Sequence, residues 1–388
     1  MKFKTQLLHS HQSNDQHGSL TIPIYQSSTY SYPDFESGKQ RFSGNQSGYI
    51  YSRMGNPTLT ALEEQLANIE GAEQSLVVSS GMAAISSIFF ALAAAGDHIA
   101  VVEPVYGGSS ALLTQTLSRF GVTVTRYFSD QDLLERIHSE TKLIIFEPLC
   151  NPTLSVVDYR VVKQAADKTN AIVICDNTFL TPYLFRPLEH GIDLVMHSGT
   201  KYLSGHGDII AGVVSGRSEL IDKIRTIGLK HLGAQIGPQE AYLLHRGLRT
   251  LPLRMDAHLT SALQIANFLN SHPKINKVYY PGLLTHAGHK ALAETINAFG
   301  SVMSFEVIGD EQECARLLDN LTLFTQAVSL GDLESLACHP ATTTHAALTE
   351  QQRQQANITS NLIRLSIGVE DGKDLIADLS QALEAVPN

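Results

Sequence analysis

Five short apolar runs limit what this chain can fold into: Leu76–Val78, Ile99–Val102, Leu143–Phe146, Ala171–Cys175 and Leu194–Met196. Each gives way to a polar or glycine-bearing turn: Ser79-Ser80-Gly81, Tyr106-Gly107-Gly108, Cys150-Asn151-Pro152, Asp176-Asn177-Thr178 and His197-Ser198-Gly199-Thr200-Lys201. Runs this short and apolar are strands covered on both faces, and helical segments between them point to an α/β class. In open α/β sheets ligands bind beyond the carboxyl ends of the strands. Gly81, Tyr106, Asn151, Asp176 and Lys201 all fall at such ends, so one site is expected there.

The spacing predicts a helix after Asn56-Pro57, with Leu59, Leu62, Leu66 and Ile69 on one face and Gly71 ending it. A long helical stretch is expected from about Pro238 to Leu269, leading into a smaller C-terminal α/β domain. A chain of 388 residues exceeds one simple core. The division expected is an arm, 1–48, a large domain, 49–248, and a C-terminal domain, 249–388. The arm reads as irregular, with Pro23, Pro33 and several glycines, yet Tyr25, Tyr30 and Tyr32 argue that it packs on another subunit.

The formal net charge of -10 and the lack of a basic stripe argue against nucleic acid as a partner. Met1–Gly18 has no apolar core of the signal-peptide type, and the longest apolar stretch, Ile85–Ala95, is too short to span a bilayer. Cys150, Cys175, Cys314 and Cys338 form no C-x-x-C pair, which fits a reduced, cytoplasmic location. No dinucleotide-binding glycine fingerprint follows a strand, and neither a Walker A sequence nor H-E-x-x-H is present. His286, His289, Cys338, His339 and His345 read as structural or solvated rather than as metal ligands.

Lys201 carries the chemical argument. A lone lysine near a turn is a solvated lysine. Here Ser198 and Thr200 supply hydroxyls suited to a phosphate, and Gly205 and Gly207 permit close backbone approach. A lysine held out of water loses basicity and becomes nucleophilic toward a carbonyl. Together these features suggest a cofactor with an aldehyde and a phosphate, pyridoxal phosphate (PLP), held by Lys201 as a Schiff base. Asp176 follows a buried strand; it is either a helix N-cap or the charge partner of a protonated pyridine nitrogen. Gly81-Met82 opens a helix whose free N–H groups favour a phosphate, although turns use glycine routinely. Tyr106 either stacks on a flat ring and moves a proton, or packs at a turn edge.

The run Asp193–Gly207, with Tyr51–Thr58, Ser80–Ala84, Asp176–Phe179 and Arg364–Gly368, resembles the cysteine/methionine-metabolism family of PLP enzymes over nearly the whole chain. That resemblance implies the type I PLP-dependent transferase fold: a large domain with a mostly parallel seven-stranded sheet and a smaller C-terminal α/β domain. It implies a homotetramer of catalytic dimers. Lys201 would bind the cofactor, Asp176 would pair with the pyridine nitrogen and Tyr106 would stack on the ring. Gly81, Met82, Ser198 and Thr200 would hold the phosphate, and Tyr51 and Arg53 would reach the phosphate of the neighbouring subunit. Arg364, with Asn151, Ser329 and Glu334, would bind the substrate; alone, Arg364 would read as a surface salt bridge.

The stretch Ala327–Leu336, with His339-Pro340 and Thr344-His345, is similar to the γ-lyases of that family, above all those acting on methionine. Gly108 stands where methionine γ-lyases usually carry a cysteine, and Lys230-His231 where they tend to show Lys-Asp. Ser109–Leu112 lacks the arginine that cystathionine enzymes often place after the Tyr-Gly-Gly turn. The expectation is a PLP-dependent carbon–sulfur lyase acting by γ-elimination on methionine, homocysteine or cystathionine. The alternative is a γ-replacement enzyme using an activated homoserine.

Overall fold

The computed structural model describes residues 1–10, 17–296 and 298–387. Seven strands form the large sheet: β1 Gln74–Val78, β2 His98–Val102, β3 Thr123–Tyr127, β4 Thr141–Phe146, β5 Ile172–Asp176, β6 Leu194–Ser198 and β7 Gly212–Gly216. Their order is β1-β7-β6-β5-β4-β2-β3, and only β7 runs against the rest. The five apolar runs are all strands of this sheet. Each supplies side chains to both faces in alternation. Val77, Ala100, Ile144 and Val173 pack with Leu62, Leu66 and Ile69 of the helix Pro57–Glu70. Leu76, Ile99, Leu143, Ile145 and Ile174 pack with Ile85, Ile88 and Phe89 of the helix Gly81–Leu92. Covering on both faces is why these runs show no polar alternation.

Two strands of this sheet lack an apolar run. β3 is an edge strand whose Thr123, Thr125 and Arg126 break the pattern, and β7 is bounded by Gly212 and Gly216. The helix Pro57–Glu70 starts where Asn56 accepts a hydrogen bond from Thr58 N at 2.9 Å and ends at Gly71, which takes the left-handed conformation. The long helical stretch is broken into Pro238–Leu248 and Leu251–Ser271. Pro252 lies in the first turn of the second helix, where its missing N–H costs nothing.

The second sheet contains β8 Ile275–Tyr279, β9 Val302–Val307, β10 Thr325–Gln326, β11 Leu336–Cys338 and β12 Leu362–Ser366, in the order β10-β11-β12-β9-β8. The helices Leu251–Ser271, Glu311–Asn320 and Gly372–Glu384 close over it through Ile265, Leu269, Leu317, Leu375 and Leu379. Residues 1–48 are more ordered than their composition suggests. A helix at Phe3–His9 seats Leu7 in the large core, where Gln65 Nε2 donates to Leu7 O at 2.8 Å. A second helix, Phe35–Phe42, is capped by Asp34 and leaves Phe35 and Phe42 exposed. Residues 11–16 of the expected arm lie outside the described residues. Among the described residues no helix is long and apolar enough to cross a membrane.

β7 begins against the turn that follows β1. A Cβ on Gly212 would lie 2.0 Å from Ser80 O and 3.0 Å from Gly81 N. Gly212→Ala is therefore expected to cost about 1–3 kcal/mol of stability and to weaken PLP binding by displacing that turn. Thermal melting and PLP titration of the variant check this; an unchanged melting temperature would mean that the turn retreats freely.

Candidate active site

A cavity of about 630 Å³ opens where the carboxyl ends of β1, β4, β5 and β6 meet residues of the second sheet and its loops. Gly81, Met82, Tyr106, Asn151, Asp176, Ser198, Thr200, Lys201, Ser329 and Arg364 all line it. Of the residues expected at the site, Tyr51, Arg53 and Glu334 are not in its lining.

Lys201 follows β6 by way of Ser198-Gly199-Thr200, and its Nζ donates to Ser329 Oγ at 2.9 Å. Burial pulls its amine below the ordinary lysine range; Asp332 opposes that shift and Arg364 adds to it. Asp176 ends β5 and accepts from Thr178 N at 3.1 Å and Thr178 Oγ1 at 2.5 Å. The same Thr178 hydroxyl accepts from Ser198 N at 2.9 Å, tying the end of β5 to that of β6. Burial raises the Asp176 carboxyl, while the Thr178 bonds and His197 oppose the rise. Glu147, just past β4, also lines the cavity and accepts from Tyr106 N at 2.6 Å. Burial pushes its carboxyl well up, and the Asp176 charge adds to that rise. Both carboxyls are thus pushed up, Glu147 the more strongly, and Asp176 is the one held by two hydrogen bonds from Thr178.

Beside them the helix Gly81–Leu92 begins, with Ser80 Oγ accepting from Ala83 N at 2.9 Å. First-turn N–H groups have no helical acceptor and attract an anion. A Cβ on Gly81 would lie 3.0 Å from Ser198 Cβ, so glycine keeps this cradle open. The Tyr106 ring stands at the mouth, about half exposed.

Arg364 is buried on β12. Its Nη1 donates to Asn151 Oδ1 at 3.0 Å, and its Nη2 donates to Val328 O at 2.9 Å and Ser329 O at 3.0 Å. Its Nε has no hydrogen-bond partner, and the residue joins no ion pair among the described residues. A buried guanidinium lacking an anion is costly unless a ligand supplies one, and its planar fork suits a carboxylate. The surface-salt-bridge reading of this arginine is thereby replaced.

Arg53 instead donates to Lys230 O at 2.7 Å and lies over the Tyr51 ring, 5.6 Å from its centroid. Glu334 is exposed; Asp332, two residues earlier, is the acid whose charge acts on Lys201. Asp332, Glu147, Thr178 and His345 have no individual role in the sequence reading. Glu147 carries a usable signal, an acid directly after a buried apolar run, and the others lie within the stretches that resemble the family. His345 lines the cavity as a neutral imidazole, pushed down to about 4 by burial and by Arg364. No three His, Cys, Asp or Glu side chains converge as metal ligands among the described residues.

A desolvated lysine, a recessed carboxylate, an anion cradle rich in N–H and hydroxyl groups and an unpaired arginine together fit a phosphorylated pyridine aldehyde and an amino acid. The model of the Cys/Met metabolism PLP-dependent enzymes matches residues 4–384. The chain belongs to that family. The enzyme is 46% identical to an L-methionine gamma-lyase of Fusobacterium nucleatum over 98% of both chains. It is 42% identical to a cystathionine beta-lyase of Lactococcus lactis, again over 98% of each. Among solved structures, a Campylobacter jejuni protein described as an O-acetylhomoserine (thiol)-lyase, bearing a pyridoxyl-lysine-5'-monophosphate, superposes with a TM-score of 0.95 at 38% identity. The match covers 99% of this chain and 100% of that one. The enzyme is therefore PLP-dependent, with the α/β fold of this family.

The depressed Lys201 amine has a consequence for the apoprotein. An unfolded lysine titrates near 10.4, so between the folded value and that point the unfolded chain binds one more proton. Stability must rise with pH across that window. Lys201→Met lacks this titration. The stability of wild-type apoprotein relative to Lys201→Met is expected to grow as pH rises toward the unfolded lysine value of about 10.4, as urea unfolding at several pH values would show; parallel curves would count against a desolvated amine.

Proposed function

We propose that the enzyme is a carbon–sulfur lyase that performs γ-elimination on methionine or a similar sulfur amino acid. The observation carrying this reading is the composition of the cavity wall. Leu149, Phe179, Ile210, Val328 and Leu330 give it an apolar side, and Lys201 and Arg364 are the only lysine and arginine in its lining among the described residues. Arg364 serves one α-carboxylate, so this chain's own described residues offer no second arginine or lysine in the lining for the distal carboxylate of cystathionine. An uncharged thioether suits such a wall.

Lys201 and Asp176 would bind the PLP ring, Tyr106 would stack on it, and Gly81, Met82, Ser198 and Thr200 would hold its phosphate. When bound, PLP supplies an electron sink beside the substrate α-carbon. Arg364 and Asn151, with Ser329, fix the substrate carboxylate and so aim the α-hydrogen at Lys201. The Lys201 Nζ takes that proton and, once it has passed the proton on and is neutral again, is the nearest base when a β-proton must leave. The Tyr106 hydroxyl, at the mouth, protonates the departing sulfur. With methionine and one water, the balance is methanethiol, 2-oxobutanoate and ammonia.

A γ-replacement reading draws support from the likeness to the Campylobacter jejuni protein, since an acetyl ester of homoserine is also uncharged at its far end. Product analysis divides the two. Release of 2-oxobutanoate from methionine without added thiol is expected, with kcat/KM for cystathionine lower by about tenfold or more, the worth of an unmade charged hydrogen bond. Lys201→Ala is expected to lose both turnover and the visible PLP band. Thioether formation from an acylhomoserine and a thiol, with no elimination from methionine, would give the replacement reading precedence.

We further propose that the chain comprises an arm, 1–48, a PLP-binding domain, 49–248, and a C-terminal domain, 249–388, and works in the cytoplasm as a homotetramer. Four unpaired buried cysteines support a reducing compartment. Tyr51 and Arg53, outside this chain's own cavity, are assigned to the phosphate of a neighbouring subunit. Arg53→Ala is then expected to weaken PLP retention, measured by dialysis of the holoenzyme; unchanged retention would count against a shared site.

A further inference from the structure

Behind the Lys201 turn lies a second buried guanidinium that the chemistry above does not use. Arg254 belongs to the helix Leu251–Ser271, is 6% exposed and joins no ion pair among the described residues. Instead it donates to backbone carbonyls and one hydroxyl. Its Nη1 donates to Tyr202 O at 2.7 Å, its Nη2 to Gly247 O at 2.8 Å, and its Nε to Thr250 Oγ1 at 3.1 Å. Gly205 makes room for it: a Cβ there would lie 1.8 Å from Arg254 Nη1, and Gly205 has a φ of 68°. A glycine in the left-handed region and a buried cation thus define one feature, a clasp on the residue that follows Lys201.

The rest of Tyr202 is held from the C-terminal side. Its ring meets that of His258 edge-on at 5.5 Å, and its hydroxyl lies 2.8 Å from Ser301 Oγ. A Cβ on Gly331, two residues past Ser329, would come within 2.7 Å of Tyr202 N. His258, one turn after Arg254 on the same helix, has its Nδ1 2.7 Å from Ile367 O, just beyond the strand that carries Arg364. One helix face therefore grips both the lysine turn and the end of the arginine strand.

We propose that Arg254, acting through Tyr202 and assisted by His258, is a positioning residue that sets Lys201 Nζ against the substrate carbon aligned by Arg364. This inference rests on Lys201 being the base and is independent of which sulfur amino acid is the substrate. The helix makes the distance between base and carboxylate clamp a property of one rigid element, and small displacements of a base are costly to proton transfer.

The test uses holoenzyme variants Arg254→Met and Arg254→Lys, with Tyr202→Phe, which removes only the hydroxyl that meets Ser301. Three quantities are read: steady-state turnover, the exchange of the α-proton of alanine into D₂O, and the pH midpoint of the visible PLP band. Alanine has no leaving group, so its exchange reports the base alone. Arg254→Met is expected to bind PLP, to lose about ten- to a hundredfold in kcat and exchange rate, and to keep KM within about threefold. Its band midpoint should shift, and Arg254→Lys should recover part of each. A soluble, PLP-loaded Arg254→Met with exchange rate and midpoint like wild type, whatever its melting temperature, would overturn the inference. Should neither Arg254 variant fold, a Tyr202→Phe enzyme that exchanges more slowly than wild type supports the inference, and one with an unchanged rate overturns it. Alanine exchange surviving in Lys201→Ala would instead remove Lys201 as the base, a different failure.

Discussion

Taking a lysine amine out of water weakens its hold on a proton, and the site is arranged around that cost. Lys201 leaves β6 on a turn closed by Ser198 and Gly199, loses solvent, and meets a serine hydroxyl instead of a carboxylate at contact distance. An acid in direct contact would return the proton; Asp332 acts only as a charge opposing the shift. A lysine kept in this condition is nucleophilic toward an aldehyde and is able to take a proton from carbon.

The acids are arranged by the same logic. Asp176 and Glu147 end neighbouring strands and face one cavity, where two full negative charges would repel. Thr178 donates twice to Asp176, whereas Glu147 receives the Tyr106 backbone N–H. The Thr178 bonds oppose the upward push on Asp176, and Glu147 fixes the turn that carries Tyr106. Polar groups at strand ends thus set the position and the charge of the reactive side chains together.

Much of this was legible in the sequence because buried parallel strands have a plain signature, and their turns had to contain the ligand-facing residues. Gly81, Asp176 and Lys201 were placed by that rule alone. β3 and β7 escaped it, one because an edge strand tolerates Thr and Arg, the other because glycine gives no apolar signal. The arm misled by composition: Pro and Gly suggested irregular chain, but Leu7 and the Asp34 cap were enough to order two short helices. Arg364 was ambiguous in the sequence because a lone arginine on a strand carries no mark of whether an acid awaits it.

The sequence by itself determined the sheet, the turns at its carboxyl edge and the place of Lys201 on one of them, because these depend on patterns within a few residues of each other. Tertiary structure alone decided that Arg364 is buried without an anion, that Glu147 shares the cavity with Asp176, and that Arg254 grips the turn after Lys201. Those facts arise from contacts between residues dozens to hundreds of positions apart. Desolvation and charge pairing depend on what the folded chain brings near each group, and local sequence does not record that.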